Sequence, residues 1–313
     1  MDASIVLALM ILSHVITDFV LQTDTIACGK INNFKIMGKH VLHYFFTNII
    51  FVSPYLSFGN GLWCIIIALT IAHWMIDITK VEYDKKSKNN GFEYFSLDQL
   101  VHLCLICLSY PLIKNIELNI VATDVVTFFS THYPILNLLT KQTIFIYILI
   151  LASYIFNFKG ATFITKKVLD KYLHLKDKVN SNDPRKELVK QVIERYEFCK
   201  SDLNKENAKL EISINEKYDN MDITSDELKS LTEVDDAKKN AGEAIGNLER
   251  LIILTLVLQS NYAAIGLVIA AKTVARYKKL EEKNFAEYYL IGTFTSLIIA
   301  VLLGEAILAL KSI

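Results

Sequence analysis

Apolar runs long enough for one helix to cross a bilayer, about 17–25 residues, recur along this chain of 313 residues. Backbone polar groups in hydrocarbon must be satisfied within their own segment, so runs of this kind form helices. The sequence therefore predicts an all-α fold, a polytopic transmembrane helical bundle of about six or seven membrane helices, with membrane lipid as its surrounding partner. The runs lie near residues 3–22, 40–58, 62–80, 97–113, 142–159, 248–271 and 285–310.

Charged residues replace apolar ones between residues 166 and 247. Asp183-Pro184 has the pattern of a helix start, and 224–227 has that of a capping box, so this stretch is predicted to be a charged soluble helical insert. Its charge runs are expected to be solvated faces, with a cytoplasmic protein partner as the alternative. The predicted organisation is a four-helix membrane module in 1–115, an outer loop with a short amphipathic helix and the fifth membrane helix in 116–165, the cytoplasmic insert in 166–247, and C-terminal membrane helices in 248–313.

Lysine is distributed unevenly among the connections between the runs. The 23–39 connection holds three lysines and 80–96 holds four, whereas the turn at 59–61 holds none. The positive-inside rule then predicts a multi-pass protein of the cell membrane with its N-terminus outside and the insert in the cytoplasm. The whole chain has 33 basic and 33 acidic residues, so no nucleic-acid partner is expected.

The 248–271 run conflicts with this orientation if it crosses the membrane once. A single crossing would place outside the basic residues Lys272, Arg276, Lys278, Lys279 and Lys283. A re-entrant hairpin bent at Gln259-Ser260-Asn261 keeps them inside, and non-helical backbone at depth is tolerated where protein surrounds it. A simple span is the alternative.

Histidine and aspartate recur inside the first four runs, where each ionisable residue costs about 2.5–3.5 kcal/mol. Three His/Asp pairs have a spacing of four residues, so each pair shares one helix face. Antiparallel helices would bring all of these residues to one side of the membrane, the cytoplasmic one, within about 12 Å of its surface. The pairs are His14/Asp18, His73/Asp77 and Asp98/His102, and His40 and His43 open the second run.

Imidazole and carboxylate together suit zinc, manganese or iron. We predict a divalent metal, zinc or manganese, as the cofactor, held either as one ion with hydrogen-bonding partners around it or as two ions. The predicted metal ligands are His14, His40, His43, His73, Asp77 and His102. The alternative is that the His–Asp pairs hydrogen-bond one another and tie the helices together.

The first four runs resemble a bacterial membrane-protein family known as domain of unknown function 3307. The segments that carry the resemblance are HVITDFVLQT, the His40/His43 pair, AHWMIDITK and LDQLVH, and near the C-terminus IGNLERLIILTLVLQSNYAAIGLVIAAKTVARY and FAEYYLIGTFTSLIIAVLLG. That family has no established activity, so the resemblance implies a membrane protein and no particular reaction. The AHWMID segment is also similar to the SHxxxD-type motif of membrane-bound proteins labelled metal-dependent hydrolases.

Two classes of function follow from these residues. The first is a membrane-embedded metal-dependent hydrolase acting on an amphiphilic or lipid-linked substrate at the cytoplasmic face, with a metal-activated water and Asp18 or Asp98 as general base. Lys80, Gln22 and Gln99 would hold an anionic part of the substrate. The second class is a non-enzymatic membrane protein, transporter-like or regulatory, whose His/Asp pairs bind an ion, carry protons or brace helices. Clustering at one face favours a site over a conduit.

Overall fold

The computed structural model of the chain describes residues 2–30, 33–86, 92–180 and 225–312, and every regular element in those ranges is helical. The α-helices there are α1 (Asp2–Ile16), α2 (Asp24–Gly29), α3 (Phe34–Val52), α4 (Leu62–Lys86), α5 (Phe92–Leu108), α6 (Ile120–His132), α7 (Lys141–Asn180), α8 (Ser225–Leu258), α9 (Tyr262–Ala275) and α10 (Lys283–Lys311). A π-helical turn, Thr17–Leu21, continues α1, and short 3-10 helices cover Ser53–Tyr55, Tyr110–Ile113, Pro134–Leu138 and Tyr277–Glu281. The predicted all-α class is confirmed over these residues.

Five helical stretches among the described residues are long and apolar enough to cross a membrane. They are Asp2–Leu21, Leu62–Tyr83, Tyr94–Ile113, Lys141–Tyr172 and Lys283–Lys311. The predicted count also included α3 and the 248–271 run. α3 is not among the five because its 19 residues include two lysines and two histidines, which lower its mean hydropathy.

The turn predicted at residues 59–61 joins α3 to α4. Gly61 has φ +68°, a left-handed conformation that glycine adopts without steric cost. Asn60 closes the turn from both sides, since its Nδ2 donates to the Tyr55 carbonyl at 2.6 Å and its Oδ1 accepts from the Leu62 N–H at 3.3 Å. The two helices therefore run antiparallel, as predicted.

Three helices differ in extent from the prediction. α3 begins at Phe34, before the predicted start near 40, because Asn33 caps it by accepting the Lys35 N–H at 2.9 Å. α7 continues past the predicted end near 159 and the domain boundary at 165/166, since lysine and leucine there favour helix. α8 begins at Ser225, inside the predicted capping box, and passes through the boundary at 247/248 without a break. The remainder of the insert, including Asp183-Pro184, lies outside the described residues.

α8 and α9 form a helical hairpin with its bend at residues 259–261, as the charge argument predicted. Ser260 there has φ +57°, and Asn261 caps α9 by accepting the Ala264 N–H at 3.4 Å. Near the other end of α9, Lys272 forms an ion pair with Glu249 of α8. The chain therefore returns to the level at which the apolar part of α8 begins. At 1.5 Å per residue, α9 is about 20 Å long.

Contacts between α1 and α7 define the two ends of the bundle. Asp2 of α1 forms an ion pair with Lys141 at the start of α7, and further along the ring of Phe19 contacts that of Phe156 with centroids 5.1 Å apart. The two helices are therefore parallel. We call the end marked by the Asp2–Lys141 pair the Asp2 end, and the opposite one the Asp18 end.

The main hydrophobic core lies toward the Asp2 end. Its fully buried side chains come from α1, α3, α4, α5 and the 3-10 helix after α5, and include Val6, Met10, Leu62, Ile66 and Ile106. The buried histidines and aspartates of the same helices lie beyond this core, toward the Asp18 end.

Candidate metal site

Histidine and aspartate side chains from four helices converge at the Asp18 end of the bundle. None of these side chains is more than 6% exposed. We call this group the His/Asp cluster. It consists of His14 of α1, Asp18 of the π-helical turn, His40 of α3, His73 and Asp77 of α4, and Asp98 and His102 of α5.

Asp18 owes its position to the π-helical turn that follows α1. Such turns are frequent at functional sites because they change which side chains face inward. Thr17 fixes the turn to α3, since its hydroxyl lies 2.7 Å from that of Thr47. The Asp18 carboxylate thereby faces α3 and α4, where Oδ1 lies 3.6 Å from His40 Nε2 and 3.8 Å from His73 Nε2.

Four donor atoms of the cluster have the spacing of ligands around a single ion. His40 Nε2 lies 3.2 Å from both His73 Nε2 and Asp77 Oδ2, and His73 Nε2 lies 3.8 Å from that Asp77 oxygen. With the two distances to Asp18 Oδ1, five of the six separations among the four atoms are 3.2–3.8 Å. Ligands about 2.0–2.1 Å from a tetrahedral zinc ion are about 3.3–3.4 Å from one another.

Several buried polar atoms of the cluster have no hydrogen-bond partner among the described residues. They include Asp18 Oδ1, Asp98 Oδ1 and His102 Nε2. Buried polar atoms are nearly always paired, so atoms of this kind are fit to ligate an ion or a substrate. Three overlapping groups have ligand atoms within 4.8 Å of one another: His14, Asp18 and His73; His40, His73 and Asp77; and Asp77, Asp98 and His102.

Two lysines neutralise part of the negative charge. Lys80 Nζ of α4 lies 2.9 Å from Asp98 Oδ2 of α5, the next helix in the chain. Lys30 was predicted only as a marker of orientation, yet it is buried and its Nζ lies 3.2 Å from both oxygens of Asp77. Lys30 follows directly after the short helix α2, and nothing in its local sequence indicates that placement.

The predicted substrate-binding amides also lie against the cluster. Gln99 Nε2 donates to Asp18 Oδ2 and to Asp98 Oδ2, both at 3.1 Å. Gln22 Oε1 accepts from Lys30 at 3.3 Å. Gln99 therefore orients two carboxylates of the cluster and Gln22 orients Lys30, and the role of both amides toward a substrate stays a prediction.

Three further side chains of α3 and α5 differ in how close they lie to the His73 ring: His43, Tyr44 and His102. His43 is half-buried and belongs to none of the metal-capable groups found among the described residues, so the structure does not bring it to the site with His40. Tyr44, which the sequence reading missed, stacks on the His73 ring with centroids 4.3 Å apart. It lies four residues after His40 on the same face, a signal that could have indicated it. The His102 ring lies 4.3 Å from that of His73.

The fold and site together define a helical protein with five helices of membrane-spanning length, among the described residues, and a buried His/Asp cluster. Residues 6–130 match the model of a family described as "Protein of unknown function (DUF3307)". That span contains every member of the cluster, and it confirms the resemblance to domain of unknown function 3307 over those residues. No curated protein and no solved structure matches the chain. The shorter likeness of AHWMID to metal-dependent hydrolases stays a prediction.

Proposed function

We propose that this chain is a multi-pass protein of the cell membrane that binds one divalent metal ion, zinc or manganese, in the His/Asp cluster and uses it for hydrolysis. The observation that carries the proposal is the set of five separations of 3.2–3.8 Å among two imidazole nitrogens and two carboxylate oxygens. His40, His73, Asp18 and Asp77 would be the ligands.

Exposed apolar side chains support insertion into a membrane. Five large apolar residues on the bundle helices are each 50–66% exposed: Phe46, Ile50, Ile71, Met75 and Leu302. Water-soluble proteins rarely expose large patches of apolar surface. Asp18 follows Asp2 by sixteen residues of helix, about 24 Å. With the Asp2 end at one boundary of a hydrocarbon layer about 30 Å thick, the cluster lies close to the other boundary.

The lysine distribution supports an orientation in which the Asp18 end faces the cytoplasm. The test is labelling of intact cells with a membrane-impermeant maleimide after placing single cysteines at Asn89 and Asn60. We expect reaction at Asn60→Cys alone. Reaction at Asn89→Cys alone would reverse the orientation.

Charge balance indicates the class of substrate. Three aspartates and two lysines leave the cluster with one net negative charge when its histidines are neutral, and a divalent ion converts this to one net positive charge. A loaded site therefore favours an anionic group. Together with its depth near the bilayer surface, this supports an amphiphilic or lipid-linked anion as substrate.

Asp98 is the residue we propose as the general base. A water or substrate oxygen that joins the four residues as a fifth ligand would be polarised by the bound ion. Asp98 Oδ2 is held by Lys80 and Gln99, while Oδ1 has no hydrogen-bond partner among the described residues. Oδ1 would accept the proton of the attacking water. Asp18 would act as a ligand, because its Oδ1 faces the two histidines.

The test is the metal content of protein purified in lipid nanodiscs, measured by mass spectrometry for wild type and for His73→Ala and Asp77→Ala. We expect about one equivalent in the wild type and loss in both variants, with helical content retained. His132→Ala is the matched control, since His132 is exposed and outside the cluster. Metal content that the cluster variants leave unchanged would reject the proposal.

The non-enzymatic class is the second candidate, favoured by the lysine pairs. Lys30 and Lys80 already neutralise Asp77 and Asp98, as braces between helices would. Hydrolysis of bis(p-nitrophenyl) phosphate and p-nitrophenyl esters by metal-loaded protein separates the two. Turnover that Asp98→Asn abolishes while the metal is retained supports the hydrolase. Absence of turnover together with stoichiometric metal supports an ion-binding role.

A further inference from the structure

α6 is an amphipathic helix whose apolar face is exposed within the described part of the chain. None of its thirteen residues is buried. Val121, Val125, Phe128 and Phe129 follow the spacing of a single helix face, and each of them is 47–72% exposed. Exposed apolar faces of this kind mark surfaces that contact a membrane or another protein.

The opposite face of α6 carries three threonines, with Ile120 in its first turn. Thr123, Thr127 and Thr131 lie on it, and each hydroxyl donates to the backbone carbonyl four residues earlier at 2.8–2.9 Å. Asp124 and His132 are the only ionisable residues in the helix. His132 follows Phe128 by four residues on the apolar face, and the two rings lie 4.3 Å apart. The threonine face is therefore suited to water and the valine and phenylalanine face to an apolar medium, with His132 at its C-terminal end.

Hydrogen bonds fix α6 at the Asp2 end of the bundle. The Asn119 N–H donates to the Pro54 carbonyl at 2.9 Å, and Asn119 Nδ2 donates to the carbonyls of Ser53 at 2.8 Å and Leu56 at 3.1 Å. The segment after α6 leads into α7 at Lys141, which pairs with Asp2. The start of α6 is thus held at the level where the bundle helices end, and the chain is back at that level at Lys141.

Other apolar side chains are exposed at the Asp2 end of the bundle. Ile50 on the last turn of α3 is 66% exposed and Phe58 in the adjoining turn is 101% exposed, and the Phe58 ring stacks on Trp63 with centroids 6.4 Å apart. Aromatic side chains are enriched where a helix bundle meets the bilayer surface.

We propose that α6 lies in the plane of the bilayer surface at the Asp2 end, with the Val125 face buried among lipid acyl chains and the Thr127 face in water. The inference rests on the membrane insertion proposed above. An in-plane helix of this kind buries its apolar face about 5–10 Å into the headgroup boundary. It would fix the depth of the bundle and hold the His/Asp cluster near the opposite surface.

The test places nitroxide spin labels at Val125→Cys and Thr127→Cys in a cysteine-free chain in phosphatidylcholine nanodiscs. We expect the ratio of collision rates with oxygen to those with a water-soluble nickel complex to be high at Val125 and low at Thr127. Nickel accessibility at both positions would overturn the inference. A Val125 label shielded from both reagents would also overturn it, because protein would then cover the face.

Ile50→Cys on α3 is the control for membrane insertion itself. A label there that oxygen does not reach would contradict insertion of the bundle. An oxygen-accessible label at Ile50 beside a nickel-accessible label at Val125 would reject only the in-plane position of α6.

Discussion

Removal of the Lys30 ammonium should destabilise the metal-free protein more than an exposed lysine would. Lys30 Nζ lies 3.2 Å from both Asp77 oxygens, and the two side chains are 6% and 1% exposed. Lys30→Met leaves Asp77 buried without its cation, which costs about 3–5 kcal/mol. At about 2–4 °C per kcal/mol, the melting temperature should fall by roughly 6–20 °C.

A divalent ion should reverse this loss, because it supplies positive charge to Asp77 in place of Lys30. Thermal unfolding in nanodiscs, followed by tryptophan fluorescence with and without zinc, should show a larger zinc-induced rise for Lys30→Met than for wild type. Lys166→Met is the matched control. Its partner is Glu243, its side chain is 49% exposed, and such a pair contributes about 0–1 kcal/mol. Equal melting temperatures for the two variants, or equal responses to zinc, would refute the reasoning.

Gly304→Ala should lower the melting temperature by the equivalent of about 1–3 kcal/mol, because the new Cβ would lie 2.4 Å from Val257 Cγ1. Gly266→Ala is its control: among the described residues no neighbouring atom lies within 4 Å of the new Cβ, so the same assay should show no change or a small stabilisation. Arg250→Met should destabilise the hairpin of α8 and α9, since the buried guanidinium donates to the Asn157 carbonyl of α7 and to Ser296 of α10. Amide hydrogen exchange in α8 and α9 should become faster in this variant, and an unchanged exchange rate would contradict the prediction. Ser260→Gly should raise the melting temperature by the equivalent of about 1 kcal/mol, given its φ of +57°, and a decrease would show that the Ser260 side chain matters to the turn.

Convergence of the His/Asp cluster was predictable because it depends on local rules. A four-residue spacing places His73 and Asp77 on one face of any α-helix, and the turn at 59–61 forces α4 to reverse direction. Neither rule needs knowledge of tertiary contacts, and neither depends on the orientation of the chain in a membrane.

Residues whose position depends on tertiary packing could not be predicted in this way. His40 and His43 are equally polar and three residues apart, yet packing against α1 and α4 buries the first and leaves the second half-buried. Lys30 reaches Asp77 only because α2 returns the connection toward the bundle. The same is true of Asp18, whose direction is set by the π-helical turn.

Composition predicted the bend in the hairpin but not the length of α7. Under the positive-inside rule the basic residues after 271 disfavoured a single crossing, and this predicted the chain reversal between α8 and α9. In α7 the change from apolar to charged residues indicated an end near 159. Helix formation continues because lysine and leucine favour it in either environment.

The central claim is tested most directly by X-ray absorption spectroscopy at the zinc edge on protein loaded with one equivalent of zinc in nanodiscs. We expect four nitrogen or oxygen ligands at about 2.0–2.1 Å, with outer-shell scattering from two imidazole rings. Sulfur at about 2.3 Å would place the ion on cysteine, and a shell without imidazole would place it outside the His/Asp cluster; either result would contradict the account.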